Sequence, residues 1–274
     1  MSAFSVRRGV AIRVGPDAWI VAAIAATWGL AVVAQARGER SWLHQHDIGG
    51  VPDPGTLATF FGAWTAMVVA MMLPTTLPFL RLYFRIAEPQ SRRELVRGAL
   101  VASYLVAWLL FGVAALGFDI AVREAAGAWT WLGERPWLVP GATLVLAGAF
   151  QFTDLKTKCL TECRHPAAYL LRRYRRGAGA AFTIGFAHAR FCVGCCWALM
   201  LLMVAVGVSN LIWMAFLAGI MLTERTLPGG DRIVRPLGAA LIAVGVLVLV
   251  QPAWLPGDLS FLPNGDDSFL WWCA

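Results

Sequence analysis

Charged residues are scarce in this sequence. Only 14% of the 274 residues are Asp, Glu, Lys or Arg, whereas soluble domains carry about 25%. Hydrophobic residues make up 59% of the chain, and the mean hydropathy is +0.65. This composition excludes an ordinary soluble domain and indicates a polytopic membrane protein. The sequence also has no phosphate-binding G-x-x-x-x-G-K-[ST] loop, which argues against ATP-driven pumping by this chain alone.

The sequence has no low-complexity segment and no visible internal repeat. One helical bundle with short loops accounts for its length, so we expect residues 1–274 to form a single integral membrane domain. The first dozen residues are basic, but the apolar run behind them is too long for a signal-peptide core. We therefore interpret that run as a retained first span.

Apolar windows of about 20 residues predict an all-α, polytopic transmembrane helix bundle of about seven spans. The fourth window is slightly short. The sixth is shorter again, so it could be tilted, re-entrant or half of a tight hairpin. The windows cover residues 18–36, 56–80, 98–118, 137–152, 181–206, 211–223 and 236–250.

The loop charges predict the orientation. Eighteen Lys and Arg residues fall in the N-terminal segment and in the loops after the second, fourth and sixth spans, against four in the other loops. The positive-inside rule then places the N-terminus inside and the C-terminus outside. This asymmetry accounts for the net charge of +7 without a nucleic-acid partner. The Arg172–Arg176 run favours contact with anionic lipid headgroups.

The fifth span carries polar side chains where polar atoms are costly. On a helix, His188, Cys192 and Cys195 fall within roughly 60° of one another. Cys196 and Met203 lie just beside that stripe. An imidazole, three thiols and a thioether form a ligand set for a soft metal ion. The alternative is that these residues only pack, since buried cysteine behaves as a small hydrophobe and methionine fills gaps.

A second pair of thiols precedes this span. Cys159 and Cys163 are four residues apart, so they face the same way on a helix that Pro166 would end. The topology predicts that they lie at the cytoplasmic mouth of the bundle, where Lys156 and other basic neighbours favour thiolate. We expect a docking or relay site for a soft cation, with two unremarkable reduced thiols as the alternative.

Methionines in the second span are candidate ligands as well. Met67 and Met71 stack one turn apart, and residue counting places them at the depth of the His188 and Cys192 stripe. Packing is the alternative role. Pro74 and Pro78 follow, and they should kink the helix or loosen its end, freeing carbonyls near residues 70 and 74.

Glu224 ends the sixth span. Its carboxylate could be a metal ligand, or it could form an interfacial ion pair with Arg225 or a neighbouring basic residue. Arg190, on the opposite side of the fifth span from His188, is expected to reach the inner headgroups.

These motifs together resemble a known family. They are Met71-Met72-Leu73-Pro74, Gln151 with Leu155-Lys156, Cys159 with Cys163, His188 with Cys192, Gly194-Cys195-Cys196-Trp197, Asn210, Trp213-Met214 and Glu224. The chain is similar, from the second span to the end of the sixth, to bacterial predicted metal-binding integral membrane proteins (domain of unknown function 2182), some of which are labelled copper chaperones. The resemblance implies a metal-binding membrane protein, and the copper label comes from it.

The ligand set favours Cu(I), with zinc as the other candidate. Two or three soft ligands suffice for Cu(I), and one helix face plus a methionine can supply them. Tetrahedral zinc draws its ligands from elements of separate direction. We therefore expect a membrane protein that binds a soft cation, most simply Cu(I), and transfers or transports it. Its partners would be the ion, the lipid bilayer and a metallochaperone or acceptor protein.

Two other functions stay open. Cys192 and Cys195 have the C-x-x-C spacing of redox pairs, so the chain could be a membrane thiol-disulfide oxidoreductase with Cys159 and Cys163 as the partner dithiol. It could also be an accessory membrane subunit whose cysteines are structural. The residues favour a binding protein over an enzyme.

Overall fold

The computed structural model describes residues 17–37, 54–135, 137–206 and 211–250. Within these ranges the regular structure is entirely helical, which confirms the all-α prediction. The helices are α1 (Ala18–Ala36), α2 (Pro54–Ala87), α3 (Arg93–Ala128), α4 (Thr130–Gly133), α5 (Leu138–Phe150), α6 (Asp154–Arg164), α7 (Pro166–Arg173), α8 (Ala178–Val206), α9 (Leu211–Thr226) and α10 (Val234–Val250), with a 3₁₀ helix at Gly230–Ile233 before α10.

Five of the described helical segments are long and apolar enough to cross a membrane: α1, α2, α3, α8 and the run that ends in α10. Helices α5 and α6 are bent by 67° at a short break, and they make a sixth span if they are counted together. Helix α9 has 16 residues, a length of about 24 Å against a hydrocarbon core of about 30 Å. The described residues thus give five or six candidate spans where the sequence predicts about seven.

The freed carbonyl predicted in α2 is present and has a partner. Pro74 has no N–H, so the carbonyl of Ala70 loses its donor within the helix. The indole Nε1 of Trp28 in α1 donates to that carbonyl oxygen at 3.1 Å. At the start of α1, Asp17 accepts a hydrogen bond from Arg81 at 2.6 Å, which lowers the pKa of the Asp17 carboxyl. These two contacts fix α1 against α2.

Helices α5 and α10 approach each other through glycines. A Cβ atom added at Gly148 would lie 2.6 Å from the carbonyl oxygen of Gly238. Small residues permit such close backbone contact between apolar helices, where packing supplies much of the association energy. This pair of helices therefore depends on the absence of side chains at the contact.

Helix α8, which carries the predicted stripe, is central to the bundle and packs against α3, α5, α6 and α9. The bend after α5 folds α6 back onto α8. The cysteines of α6, the cysteines of α8 and the charged end of α9 are thereby brought together.

Replacing Gly148 with alanine should destabilise the protein. Alanine gains roughly 0.5–1 kcal/mol of helix preference over glycine, but overpacking against backbone costs about 1–3 kcal/mol. Gly29→Ala is the matched control, because nothing lies within 4 Å of a Cβ there. Thermal unfolding in detergent should show a lower Tm for Gly148→Ala and an unchanged or slightly higher Tm for Gly29→Ala. Equal Tm values would contradict the close contact.

Candidate metal centre

The predicted stripe on α8 faces the protein core. His188, Cys192, Cys195 and Cys196 each have 1% or less of their surface exposed. The imidazole of His188 stacks on Phe79 of α2, with ring centroids 3.9 Å apart. In the described part of the chain, neither ring nitrogen of His188 has a hydrogen-bond partner. Buried polar atoms are rarely left in this state, so an ion or water is the natural partner for this imidazole.

The thiol of Cys192 on α8 contacts polar side chains of α3 and α9, which in turn bind to α2. Its Sγ lies 2.9 Å from the hydroxyl of Tyr104 on α3 and accepts a hydrogen bond from Nη1 of Arg225 on α9 at 2.8 Å. The same Nη1 donates to Oγ1 of Thr75 on α2 at 2.5 Å. Tyr104 in turn accepts a hydrogen bond from Thr76 at 3.0 Å. The side chain of Cys192 is thus held by polar groups from α2, α3 and α9.

The remaining thiols lie beside Cys192. The Sγ atoms of Cys195 and Cys196 are 3.4 Å apart, and Cys163 is buried on α6, which packs against α8. Cys159 packs on Gly194, where an added Cβ would lie 2.7 Å from its Sγ. We use the name thiol cluster for the five residues Cys159, Cys163, Cys192, Cys195 and Cys196, all of which are buried free thiols.

The predicted location of Cys159 and Cys163 at an exposed mouth is wrong. Their exposed fractions are 7% and 8%, because the 67° bend between α5 and α6 turns this face of α6 toward α8. Lys156, which precedes Cys159 by three residues, also pairs with Glu224. A docking or relay role for Cys159 and Cys163 stays a prediction.

Lys156 and Glu224 form a buried ion pair. Nζ of Lys156 lies 2.6 Å from Oε2 of Glu224, and both side chains are 1% exposed or less. The ammonium also donates to the carbonyl oxygen of Cys195 at 2.9 Å, and Gln151 donates to Oε1 of Glu224 at 3.3 Å. Glu224 thus forms an ion pair, but the pair is buried rather than interfacial, and the partner is the distant Lys156 rather than Arg225 or another neighbouring basic residue. A role for Glu224 as a metal ligand stays a prediction.

Arg225 was missed as a site residue, because the loop-charge count assigned it to the cytoplasmic surface. The structure places it in α9 with 4% of its surface exposed. Its Nε and Nη2 atoms have no hydrogen-bond partner among the described residues. The signal that the sequence offers is the position of Arg225 next to Glu224 at the end of an apolar window.

Met67, Met71 and Met203 are all buried, with 6% or less of their surface exposed. Their ligand roles stay predictions, and so does the shared depth of Met67 and Met71 with the His188 and Cys192 stripe.

The cluster offers thiols in pairs. Among the described residues, no three His, Cys, Asp or Glu side chains are arranged to hold a metal ion together. Cys195 and Cys196 are 3.4 Å apart, whereas two thiolates on one tetrahedral ion, with metal–sulfur bonds of about 2.3 Å, lie roughly 3.8 Å apart. The two sulfur atoms would need to move apart by about 0.4 Å to bind one such ion together. A set of buried thiols whose nearby carboxylate is already paired fits a soft cation.

The fold and the site define an all-helical protein with several candidate membrane spans and a buried thiol cluster beside two buried cations. The family model of PpoB2, described as a copper chaperone, matches residues 61–248, and the chain belongs to this family. The resemblance noted from the sequence is thereby confirmed. The matched range contains the whole thiol cluster. Asn210, one of the residues on which the resemblance depends, lies outside the described residues. No curated protein and no solved structure matches the chain.

Lys156→Met should be strongly destabilising, because it leaves the Glu224 carboxylate buried and unpaired, at a cost of about 3–5 kcal/mol. The double variant Lys156→Met with Glu224→Gln should recover most of that loss, since no uncompensated charge of this pair remains. Arg172→Met is the control, because its ion pair with Glu162 is exposed and is worth about 0–1 kcal/mol. Thermal unfolding in detergent measures all three, and additive losses in the double variant would contradict a coupled pair.

Proposed function

We propose that this protein is an integral membrane copper chaperone that binds Cu(I) as cargo at the thiol cluster and passes it to an acceptor. The observation that carries the proposal is the burial of five free thiols around one helix junction in a chain of the copper chaperone family. Thiolates prefer Cu(I) over harder ions. Thiolates also become tolerable in a low-dielectric interior once a cation neutralises them.

The proposed setting is a bacterial inner membrane, crossed seven times by one domain with the N-terminus inside and the C-terminus outside. The five or six candidate spans support this arrangement, with α9 as a short additional span packed against α2 and α6. Even without the buried Arg97 and Arg225, the loops predicted to be cytoplasmic hold many more Lys and Arg residues than the loops on the other side. The lipid bilayer is then the protein's first partner.

The ligand roles follow from the contacts. Cys195 and Cys196 form the primary pair, since their sulfur atoms already lie 3.4 Å apart. Cys192 and His188 continue the same helix face, and the unpartnered imidazole of His188 is available as a further ligand. Met71, Met67 and Met203 provide thioethers beyond the cluster. Zinc is the alternative cargo, but a zinc site needs four ligands of separate direction, which thiol pairs supply poorly.

Transfer would use the second helix that carries thiols. Helix α6 packs on α8, so an ion held by Cys195 could exchange one thiolate ligand for a thiolate of α6 without leaving sulfur. Cys159 and Cys163 then form the relay between the α8 site and a metallochaperone or acceptor protein. Thiolate exchange of this kind needs neither a nucleotide nor a redox partner.

The test is metal analysis of the protein purified in detergent under reducing, anaerobic conditions with Cu(I) supplied. Wild type should retain stoichiometric copper, and the Cys192→Ser, Cys195→Ser, Cys196→Ser triple variant should retain almost none. The matched control is Cys273→Ser, which removes a cysteine that lies outside the described residues and should leave copper binding unchanged.

Two results would overturn the proposal. Equal copper in wild type and the triple variant would leave the α8 cysteines as packing residues, with a change in Tm as their sole effect. Unchanged copper accompanied by a disulfide between Cys159 and Cys163 that depends on Cys192 and Cys195 would favour the oxidoreductase alternative. Quantifying free thiols on the same samples separates these two cases.

A further inference from the structure

Arg225 contributes a permanent positive charge to the thiol cluster. Its Nη1 donates to Sγ of Cys192 at 2.8 Å, and Cys195 lies next along the same face, with its Sγ 3.3 Å from the carbonyl oxygen of Cys192. The guanidinium stays protonated under all conditions relevant to proteins. Its Nε and Nη2 groups are buried and have no partner among the described residues, so they can face a further anionic group.

Among the residues that the structure describes, the other buried side-chain charges near the cluster cancel. Lys156 and Glu224 pair at 2.6 Å with both side chains 1% exposed or less, so together they add no net charge. Arg225 therefore leaves the buried site with a net charge of +1 before any ion enters or any thiol loses its proton. A net charge in a low-dielectric interior is costly, and the cost falls when an anionic group arrives.

The charge of the bound complex then depends on the ion. Two thiolates with a monovalent cation carry −1, which Arg225 neutralises. Two thiolates with a divalent cation carry no net charge, so they do not neutralise Arg225 and the site keeps its net +1. A divalent cation would need a third thiolate to reach the charge of −1 that Arg225 neutralises, whereas the close contact between Cys195 and Cys196 supplies two.

We propose that Arg225 makes the thiol cluster selective for monovalent over divalent soft cations. This inference rests on the proposed function, which supplies the binding site, and it adds the residue that decides which ions the site accepts. Arg225 acts through its charge and is a specificity-determining residue rather than a ligand.

The experiment compares Ag(I), a monovalent probe without redox chemistry, with Cd(II), a soft divalent probe. The full-length protein is purified in detergent without metal, and thiolate-to-metal absorption in the ultraviolet gives both affinities. Wild type should prefer Ag(I). Arg225→Met and Arg225→Gln should lower the ratio of Ag(I) to Cd(II) affinity by about tenfold or more, whereas Arg225→Lys, which keeps the charge, should stay within a few-fold of wild type.

Arg97→Gln is the control for loss of a buried arginine. Arg97 is 6% exposed but lies at the start of α3, where it pairs with Glu88 and Glu94. Its replacement should lower stability without changing the affinity ratio. Arg225→Gln keeps a hydrogen-bond donor for Thr75. This variant therefore tests the loss of the positive charge separately from the loss of that hydrogen bond.

The outcomes separate this inference from the proposed function. Wild type that binds neither ion contradicts the proposed function itself. Wild type that binds Ag(I), with the same affinity ratio in Arg225→Met and Arg225→Gln, overturns the role of Arg225 alone. Wild type that binds Cd(II) as tightly as Ag(I) overturns the selectivity whether or not the variants fold.

Discussion

The arrangement of this protein depends on the need to balance charge inside an apolar helix bundle. Lys156 and Glu224 neutralise each other across α6 and α9, and the same ammonium bonds to the backbone of α8. Within the described part of the chain, Arg225 has no carboxylate in its hydrogen bonds, which go to the thiol of Cys192 and the hydroxyl of Thr75. Because an unbalanced buried charge is costly, the guanidinium and the thiols depend on each other.

The fold supplies the geometry that this balance requires. The 67° bend between α5 and α6 turns Cys159, Cys163 and Lys156 toward α8. The short helix α9 places Glu224 beside Lys156 and Arg225 beside Cys192. Breaks in helices are tolerated within a membrane where the surrounding protein satisfies the backbone. Here Thr153 caps the first turn of α6 by accepting from the N–H of Lys156, and Gln151 of the break binds Glu224. The break is therefore part of the site rather than a passive connection.

The sequence predicts the parts of this structure that depend on local periodicity. Apolar windows identify the main helices, the 3.6-residue period directs His188, Cys192 and Cys195 into the core, and the missing N–H of Pro74 explains the bond from Trp28 to Ala70. The remainder depends on contacts between distant segments. From the sequence alone, Arg225 is counted among the cytoplasmic charges. Its burial follows from the packing of α9 against α2. The burial of Cys159 and Cys163 depends on the bend between α5 and α6, which no local pattern in the sequence predicts.

The most direct test of this account is X-ray absorption at the copper edge on protein loaded anaerobically with Cu(I) in detergent. The account predicts a low-coordinate Cu(I) spectrum with a first shell dominated by sulfur, because buried thiols come together in pairs and the nearby carboxylate is held by Lys156. A first shell of oxygen and nitrogen, unchanged when the α8 cysteines are replaced by serine, would contradict it.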